Sequence, residues 1–331
     1  MPPLPSLDKC PPLYVTYRTT LGPTLLAKAK NELHENDTTR DPSLAQMREF
    51  IAKHPQIQRC RTDAPFLLRF LRARKFNVIA ACEMLENYLT CFDRWPHCFR
   101  ISDSVDIYSK LIDEAFLVPL GYAGEGQFVM LYRPAGIESS WMTPEHVFQL
   151  GSALIECYFE EEQFQVCGLE LICDYQDTTL AYFGMWTVMD LKLLMDSTTG
   201  AMPLRTKRVH ICGLPRFGSA VISTCLAMAP LKHQQKVKFH KSLDDLKAAV
   251  DNSVLPSIYG GSLSLEEAND RFRKRIALER DRLLLMNEIL IDRTIPNPNA
   301  KSSNNSNNNA GLNSDIADEA VIGSFRKLNV D

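Results

Sequence analysis

Between Ser197 and Leu243 the chain carries eight cations, Arg205, Lys207, Arg208, Arg216, Lys232, Lys236, Lys238 and Lys241, and no Asp or Glu. Over all 331 residues the formal net charge is nevertheless −3, with a pI near 6.2. A solvated face normally mixes signs. This window therefore reads as a local anion site on a protein whose bulk charge attracts no polyanion. Inside it runs FGSAVISTCLAMA, 217–229, without a charge or a polar stripe. A helix that is apolar all round is buried in protein or in lipid. Two readings stand: an internal core helix, or a helix that covers something greasy and can turn its face to a membrane. In the second, the cations at 205–216 and 232–238 hold it to anionic headgroups, each worth about 1 kcal/mol near such a surface. Nucleic acid is disfavoured, because only Phe217 and Phe239 stand as aromatic rings among these cations and single-strand recognition needs stacking platforms.

A second cationic group is embedded in apolar residues. FLLRFLRARKF, 66–76, holds Arg69, Arg72, Arg74 and Lys75. Guanidinium groups in such company need anionic partners. Catalytic signatures are missing: there is no G-x-x-x-x-G-K-[ST], no G-x-S-x-G and no H-E-x-x-H. GYAGEG, 121–126, precedes a strand pattern instead of opening a helix, and reads as a hairpin turn. His210 and His240 fall in strand-like runs and read as core or edge residues. The triplet Glu160–Glu161–Glu162 reads as a solvated helix end. The chain is read as a non-enzyme that needs no cofactor and no metal.

These residues must be positioned by two kinds of architecture. Helical patterns fill the first third. DPSLAQMREFIAKH, 41–54, has Asp41 as cap and Pro42 at the first helical position. DAPFLLRFLRARK, 63–75, repeats the device with Asp63 and Pro65, and 77–95 has apolar residues at helical spacing. This predicts an all-helical module over 24–100, after an irregular Pro-rich segment 1–23. From about 105 the texture changes. GQFVMLYRP (126–134), GLELICDYQ (168–176) and RVHICGLP (208–215) are short apolar runs bounded by Gly, Pro or Asp. Helical patterns at 143–164 and 185–197 separate them, which predicts β-α-β units and a mainly parallel sheet, an α/β domain over 105–275. Ser242 with Asp245, and Ser264 with Glu267, mark two further helix starts. A helical extension is expected over 276–295. The Asn/Ser-rich stretch 296–313 has too little apolar surface to fold, and the tail ends in a short amphipathic piece.

Ten cysteines occur, without a C-x-x-C pair and mostly in apolar company such as AACEML and HICGL. They read as core thiols. The start lacks the charged and apolar regions of a secretory leader, and no apolar run is long enough to span a bilayer. The expected setting is cytoplasmic, peripheral to membranes.

Taken together, DAPFLLRFLRARKFNVIAACEML, PLRTKRVHICGLP, VKFH and LPSIYGG (255–261) resemble the CRAL-TRIO lipid-binding family. The similarity is to its branch that handles tocopherol and retinaldehyde, insect members included, and it runs from about residue 40 to 275. The resemblance implies a helical N-terminal module and an α/β domain whose sheet floors an apolar cavity under a helical lid. It implies a carrier that moves one hydrophobic small molecule, a retinoid, tocopherol or similar lipid, between membranes. It also implies a basic cleft for phosphoinositide headgroups on an anionic membrane, falling here on Arg74, Arg205, Lys207, Lys232 and Lys236. Arg69 and Arg72 are then left for structural ion pairs. Cavity positions implied by the resemblance are Phe148, Gly151, Ile155, Leu169, Cys173, Trp186, Leu194, Ser197, Thr198 and Leu204. Lid contacts fall on Ile222, Cys225 and Ala229. Ser197, Thr198 and Tyr182 are the expected groups for orienting a cargo's polar head. The alternative class is a phosphoinositide-sensing adaptor that carries no cargo.

Overall fold

The computed structural model describes residues 4–102, 105–137 and 141–297, the side chains of 105–107 excepted. The Asn/Ser-rich stretch, from 298 on, and the amphipathic end lie outside the described residues. In chain order the elements begin with helices α1 (Pro23–Leu33) and α2 (Asp37–Lys53), strand β1 (Ile57–Arg59), and helices α3 (Ala64–Ala73), α4 (Val78–Arg94), α5 (Pro96–Phe99) and α6 (Val105–Asp113). Strands β2 (Leu117–Tyr122) and β3 (Phe128–Tyr132) follow, then α7 (Pro144–Tyr158), α8 (Glu162–Cys167) and β4 (Leu169–Asp174). Next come α9 (Leu180–Gly184), α10 (Val188–Asp196), β5 (Thr206–Cys212), α11 (Ser219–Met228), α12 (Leu231–Gln234) and β6 (Val237–Phe239). The described chain closes with α13 (Leu243–Lys247), α14 (Leu265–Leu285) and β7 (Leu290–Ile291).

The sheet order is β2-β3-β4-β5-β6. β2 and β3 are antiparallel, joined by the turn expected at 121–126, and every other neighbour is parallel. Strand alternation gives the sheet two faces. On one, Val118, Leu120, Val129, Leu131 and Ile172 pack against Leu246 of α13, Val254, Leu255, Tyr259 and Ala268 of α14. On the other, Met130, Tyr132, Leu169, Leu171, Cys173, Val209 and Ile211 look into a cavity. The LPSIYGG element closes the first face. A Cβ on Gly261 would sit 1.9 Å from the Leu255 carbonyl oxygen, so only glycine lets the turn fold back there. Tyr259 then reaches Asp174 at the end of β4, donating to its carboxylate at 2.5 Å.

Local signals explain most helix starts. Asp63, Asn77, Ser242 and Ser264 each accept a backbone N–H as N-caps. The helix expected at 41 starts earlier, because Asn36 and Thr39 form a reciprocal capping box and Pro42 rides inside the helix. The 24–100 module is not all-helical: β1 pairs antiparallel with β7 from the far end of the described chain. The helix expected over 143–164 breaks into α7 and α8. The division expected at 275 falls inside α14, which is continuous to Leu285. His210 is buried on the face away from the cavity, between Glu170 (2.9 Å) and His240 (2.8 Å).

The acid triplet is not solvated. Glu160 meets Arg61 (2.8 Å), Arg69 (2.7 Å) and Arg282 (3.4 Å); Glu161 meets Arg275 (3.0 Å); Glu162 meets Arg72 (2.9 Å). These arginines, from α3, α14 and the connection between β1 and α3, pull three consecutive acids in different directions, which accounts for the helix break at that point. Arg69 also bonds Glu156 (2.9 Å), and Arg72 bonds Glu35 (2.8 Å). Both guanidinium groups are wholly buried, so these are structural pairs that bolt α3 to α7, α8 and the connection between α1 and α2.

Candidate functional site

The cavity encloses about 320 Å³ between the sheet, α7, α10 and α11, which lies within the usual range of ligand cavities, about 300–1,000 Å³. All ten positions aligned as cavity positions line it: Phe148, Gly151 and Ile155 from α7, Leu169 and Cys173 from β4, Trp186, Leu194, Ser197, Thr198 and Leu204. Ile222, Cys225 and Ala229 line it from the lid side. The placement of α11 explains why its sequence lacks a polar stripe. Val221, Ile222, Cys225 and Leu226 face the cavity, and the residues turned outward, Ser219, Ala220, Ser223 and Ala227, are merely small. It has no side-chain cap, and a short 3₁₀ turn, Arg216–Gly218, leads into it.

Among the described residues no lysine or arginine lines the cavity. Its small hydroxyls mostly donate inward to backbone. Ser197 and Thr198 both donate to the Leu194 carbonyl, at 3.1 and 2.6 Å, and Thr199 donates to that of Met195 at 2.7 Å. These bonds arise because α10 runs on into a π-helical turn, Ser197–Ala201, whose side chains cap the preceding carbonyls. Ser197 and Thr198 therefore lie in the wall, as the sequence suggests, but their hydrogens are not turned to a cargo. Tyr182 is hydrogen-bonded to Tyr132 across the cavity wall.

The five basic positions converge beside one end of the cavity. Arg74 caps α3 at its C-terminus and turns away from the buried face of Arg69 and Arg72; its guanidinium reaches the Gly200 carbonyl at 3.5 Å. Lys232 sits on α12 and Lys236 just beyond it. Arg205 immediately precedes β5 and Lys207 is its second residue. The start of β5 is fixed by Gly168, where a Cβ would lie 2.1 Å from the Arg205 carbonyl oxygen, at a φ of +82°. Without a side chain there, the Leu169 N–H closes on that oxygen at 3.0 Å. Burial lowers the pKa of Lys236, and the neighbouring Lys232, Arg205 and Lys207 lower it further. His233 is pushed down by burial and then by Lys236, Lys232 and Arg74, so it stays neutral. Five cations and a neutral imidazole that lines the cavity thus share one region, a field that favours an anion at its centre.

Glu32 of α1 already enters that field. It bonds Lys207 at 2.8 Å and Arg205 at 3.2 Å, and those two cations hold its carboxyl below the ordinary range despite its partial burial. Sequence reasoning passed over Glu32, since nothing near residue 32 signals a partner some 175 positions away. It also passed over Tyr132 and Tyr175. Tyr175 was legible in principle, continuing the every-second-residue set Leu169, Leu171 and Cys173 into the cavity wall. His233 stood in the basic window as well, but its link between cavity and cations depends on how α12 packs.

Among the described residues no helix is long and apolar enough to cross a membrane, and no cluster of His, Cys, Asp and Glu could hold a metal ion. Comparison with known proteins gives a consistent match. The profile of the CRAL/TRIO domain matches residues 114–261, and that of the CRAL/TRIO N-terminal domain matches 41–87. Alpha-tocopherol transfer protein-like from Mus musculus is 30% identical over 266 residues, covering 78% of this chain and 75% of its own. Clavesin-2 from Homo sapiens is 27% identical over 248 residues, covering 73% and 75%. The crystal structure of Sfh5 covers 74% of this chain and 99% of that one, with a TM-score of 0.48 and 8% identity.

Proposed function

This chain belongs to the CRAL/TRIO family, and from that premise we propose that it is a carrier for one hydrophobic small molecule. It takes the cargo into the cavity under α11 and delivers it at membranes that display phosphoinositides. The observation that carries the reading is the juxtaposition of an apolar cavity, an uncharged lid and a cation cluster at one edge of both. A cargo with roughly fifteen buried CH₂ groups resists leaving a bilayer by about 12 kcal/mol, at about 0.8 kcal/mol each. A dry cavity supplies replacement contacts. The wall must open to load it, and Phe217 and Leu231, exposed at either end of the lid, suit contact with a bilayer. A tocopherol, as in the name of one relative, or a retinoid is the proposed cargo class, and the cytoplasmic face of a membrane is the proposed place of work. The nine buried free cysteines favour a reducing setting.

Organic extraction of the purified protein followed by mass spectrometry is the direct test. A stoichiometric hydrophobic compound is expected; a protein that binds liposomes yet releases nothing would be a sensor without cargo. For the headgroup site, Lys232→Glu with Lys236→Glu should weaken binding to phosphoinositide liposomes by about 2 kcal/mol or more, roughly 30-fold. Neither side chain lines the cavity, so cargo affinity in solution should stay as it was. Equal loss of both activities would count against the assignment.

Glu32 gives a test of opposite sign. Its carboxylate competes with a headgroup phosphate for Arg205 and Lys207. Glu32→Gln should therefore raise phosphoinositide affinity, by about two- to fivefold given the modest worth of a half-exposed pair. Liposome flotation over a titration of lipid would read this, and a fall in affinity would show that Glu32 instead holds the cleft in shape.

A further inference from the structure

The cavity is apolar, yet three phenols sit in its wall: Tyr132 from β3, Tyr175 just beyond β4, and Tyr182 on α9. Their rings belong to one cluster. Tyr132 and Tyr175 lie 5.9 Å apart between centroids, and Phe183 packs on both Tyr175 (5.5 Å) and Tyr182 (5.9 Å). Tyr132, Tyr175 and Phe183 also pack in one cluster with Val221 and Ile222, so this group lies under the lid. We propose that Tyr175, with the Tyr132–Tyr182 pair, forms the head-group subsite of the cavity and selects a cargo whose polar end is a neutral oxygen acceptor, a carbonyl or a hydroxyl, over one ending in a carboxylate. The proposal rests on the carrier reading above and adds to it the chemistry and orientation of the cargo.

In the tyrosine pair, one hydroxyl hydrogen lies between the two oxygens, which leaves the other hydrogen without a carbonyl or carboxylate to receive it among the described residues. Tyr175 is buried and its hydroxyl has no hydrogen-bond partner among the described residues. Two O–H donors thus open on the cavity, where apolar walls offer them no acceptor. A cargo oxygen supplies one, and a hydrocarbon end does not. The serine and threonines of the π-helical turn cannot substitute, since their hydrogens go to Leu194 and Met195. A carboxylate would lose its hydration here with no cation in the wall to meet it. Burial raises the pKa of both Tyr175 and Tyr182, so they stay neutral donors.

The other unmet hydroxyl of the lining is Thr206, at the opposite end of the strands. It pairs in register with Leu169, six residues before Tyr175, a span of roughly 20 Å along a strand. That end adjoins Arg205 and Lys207. The cavity therefore has a phenol end and a cation end, and the proposal assigns the cargo's head to the phenol end.

The test uses the full-length protein and three probes that share one branched twenty-carbon chain: phytol, phytanic acid and phytane. Tyr175→Phe and, separately, Tyr132→Phe should each weaken phytol binding about tenfold, the worth of one buried hydrogen bond, with phytane affinity unchanged. Retained phytane affinity also shows that each variant is folded. Thr206→Val should cost phytol binding less than either phenylalanine variant, and wild type should prefer phytol to phytanic acid. The proposal is overturned if both phenylalanine variants hold phytol as wild type does, if Thr206→Val carries the loss, or if the acid binds as tightly as the alcohol. If wild type holds none of the three chains, the carrier reading itself fails, an outcome separate from each of these.

Discussion

Arg69→Met should lower the free energy of unfolding by about 3–5 kcal/mol, the usual cost of stranding one member of a buried ion pair. Arg69 is wholly buried and bonds both Glu156 and Glu160. Glu160 keeps Arg61 and Arg282 when Arg69 is lost. Among the described residues, Glu156 then keeps only the Tyr88 hydroxyl, at 2.6 Å, on its carboxylate. The cost therefore comes from one desolvated carboxylate, and Arg69→Met with Glu156→Leu should recover a good part of it. Urea unfolding of the two variants beside wild type measures both effects; a single variant within about 1 kcal/mol of wild type would sink the argument. The same network sets the acid limit of the fold. Its arginines hold the Glu160 carboxyl down to about 2 against an ordinary 4.5, and Glu162 is likewise lowered to about 2 by bonds from Tyr17 and Thr20 and by Arg72. Groups depressed in this way stabilise the fold fully above their unfolded pKa. That contribution is lost as pH falls from about 4.5 toward 2. Unfolding free energy should therefore decline across that window, and less steeply in a Glu160→Gln protein.

Ile222→Asp is the second large effect. Ile222 is half-buried on α11 and faces the cavity beside Val221 and Cys225. A carboxylate there meets no cation in the cavity wall, so it must either lose its hydration or hold the lid ajar. Cargo affinity should fall about a hundredfold or more. Transfer of a fluorescent cargo between liposomes should fall further still, because the same charge is repelled by anionic lipid when the lid opens. The cation cluster is untouched, so binding of a soluble inositol phosphate should persist. A folded Ile222→Asp protein that transfers cargo at the wild-type rate would mean that α11 is a fixed wall.

The helix starts were readable because an N-cap is a contact between residues two or three apart. Asp63, Asn77, Ser242 and Ser264 stand next to the backbone groups they satisfy, and no distant partner can change that. The parallel sheet was readable for a similar reason: short apolar runs alternate with helical periods in the order of the chain. β6 carries too few residues to register as a period, and Pro119 interrupts the pattern of β2. The cavity positions followed from resemblance to a family, and all of them line one cavity.

What the sequence by itself determined, then, is the set of local choices: where helices begin, which strand face is apolar, and where cations crowd without acids. Which charge meets which was decided only by the tertiary structure. Arg69, Arg72 and Arg74 stand within six residues of one another, yet the packing of α3 against α7 and α8 buries two of them on carboxylates and leaves the third beside Gly200. Glu160 to Glu162 look like a solvated end until α3 and α14 close over them. Glu32 reaches the cation cluster from 173 and 175 residues away. A charge pair or a shared hydroxyl is a relation between positions that the chain brings together only when its core closes, and residue types along a line do not encode that distance.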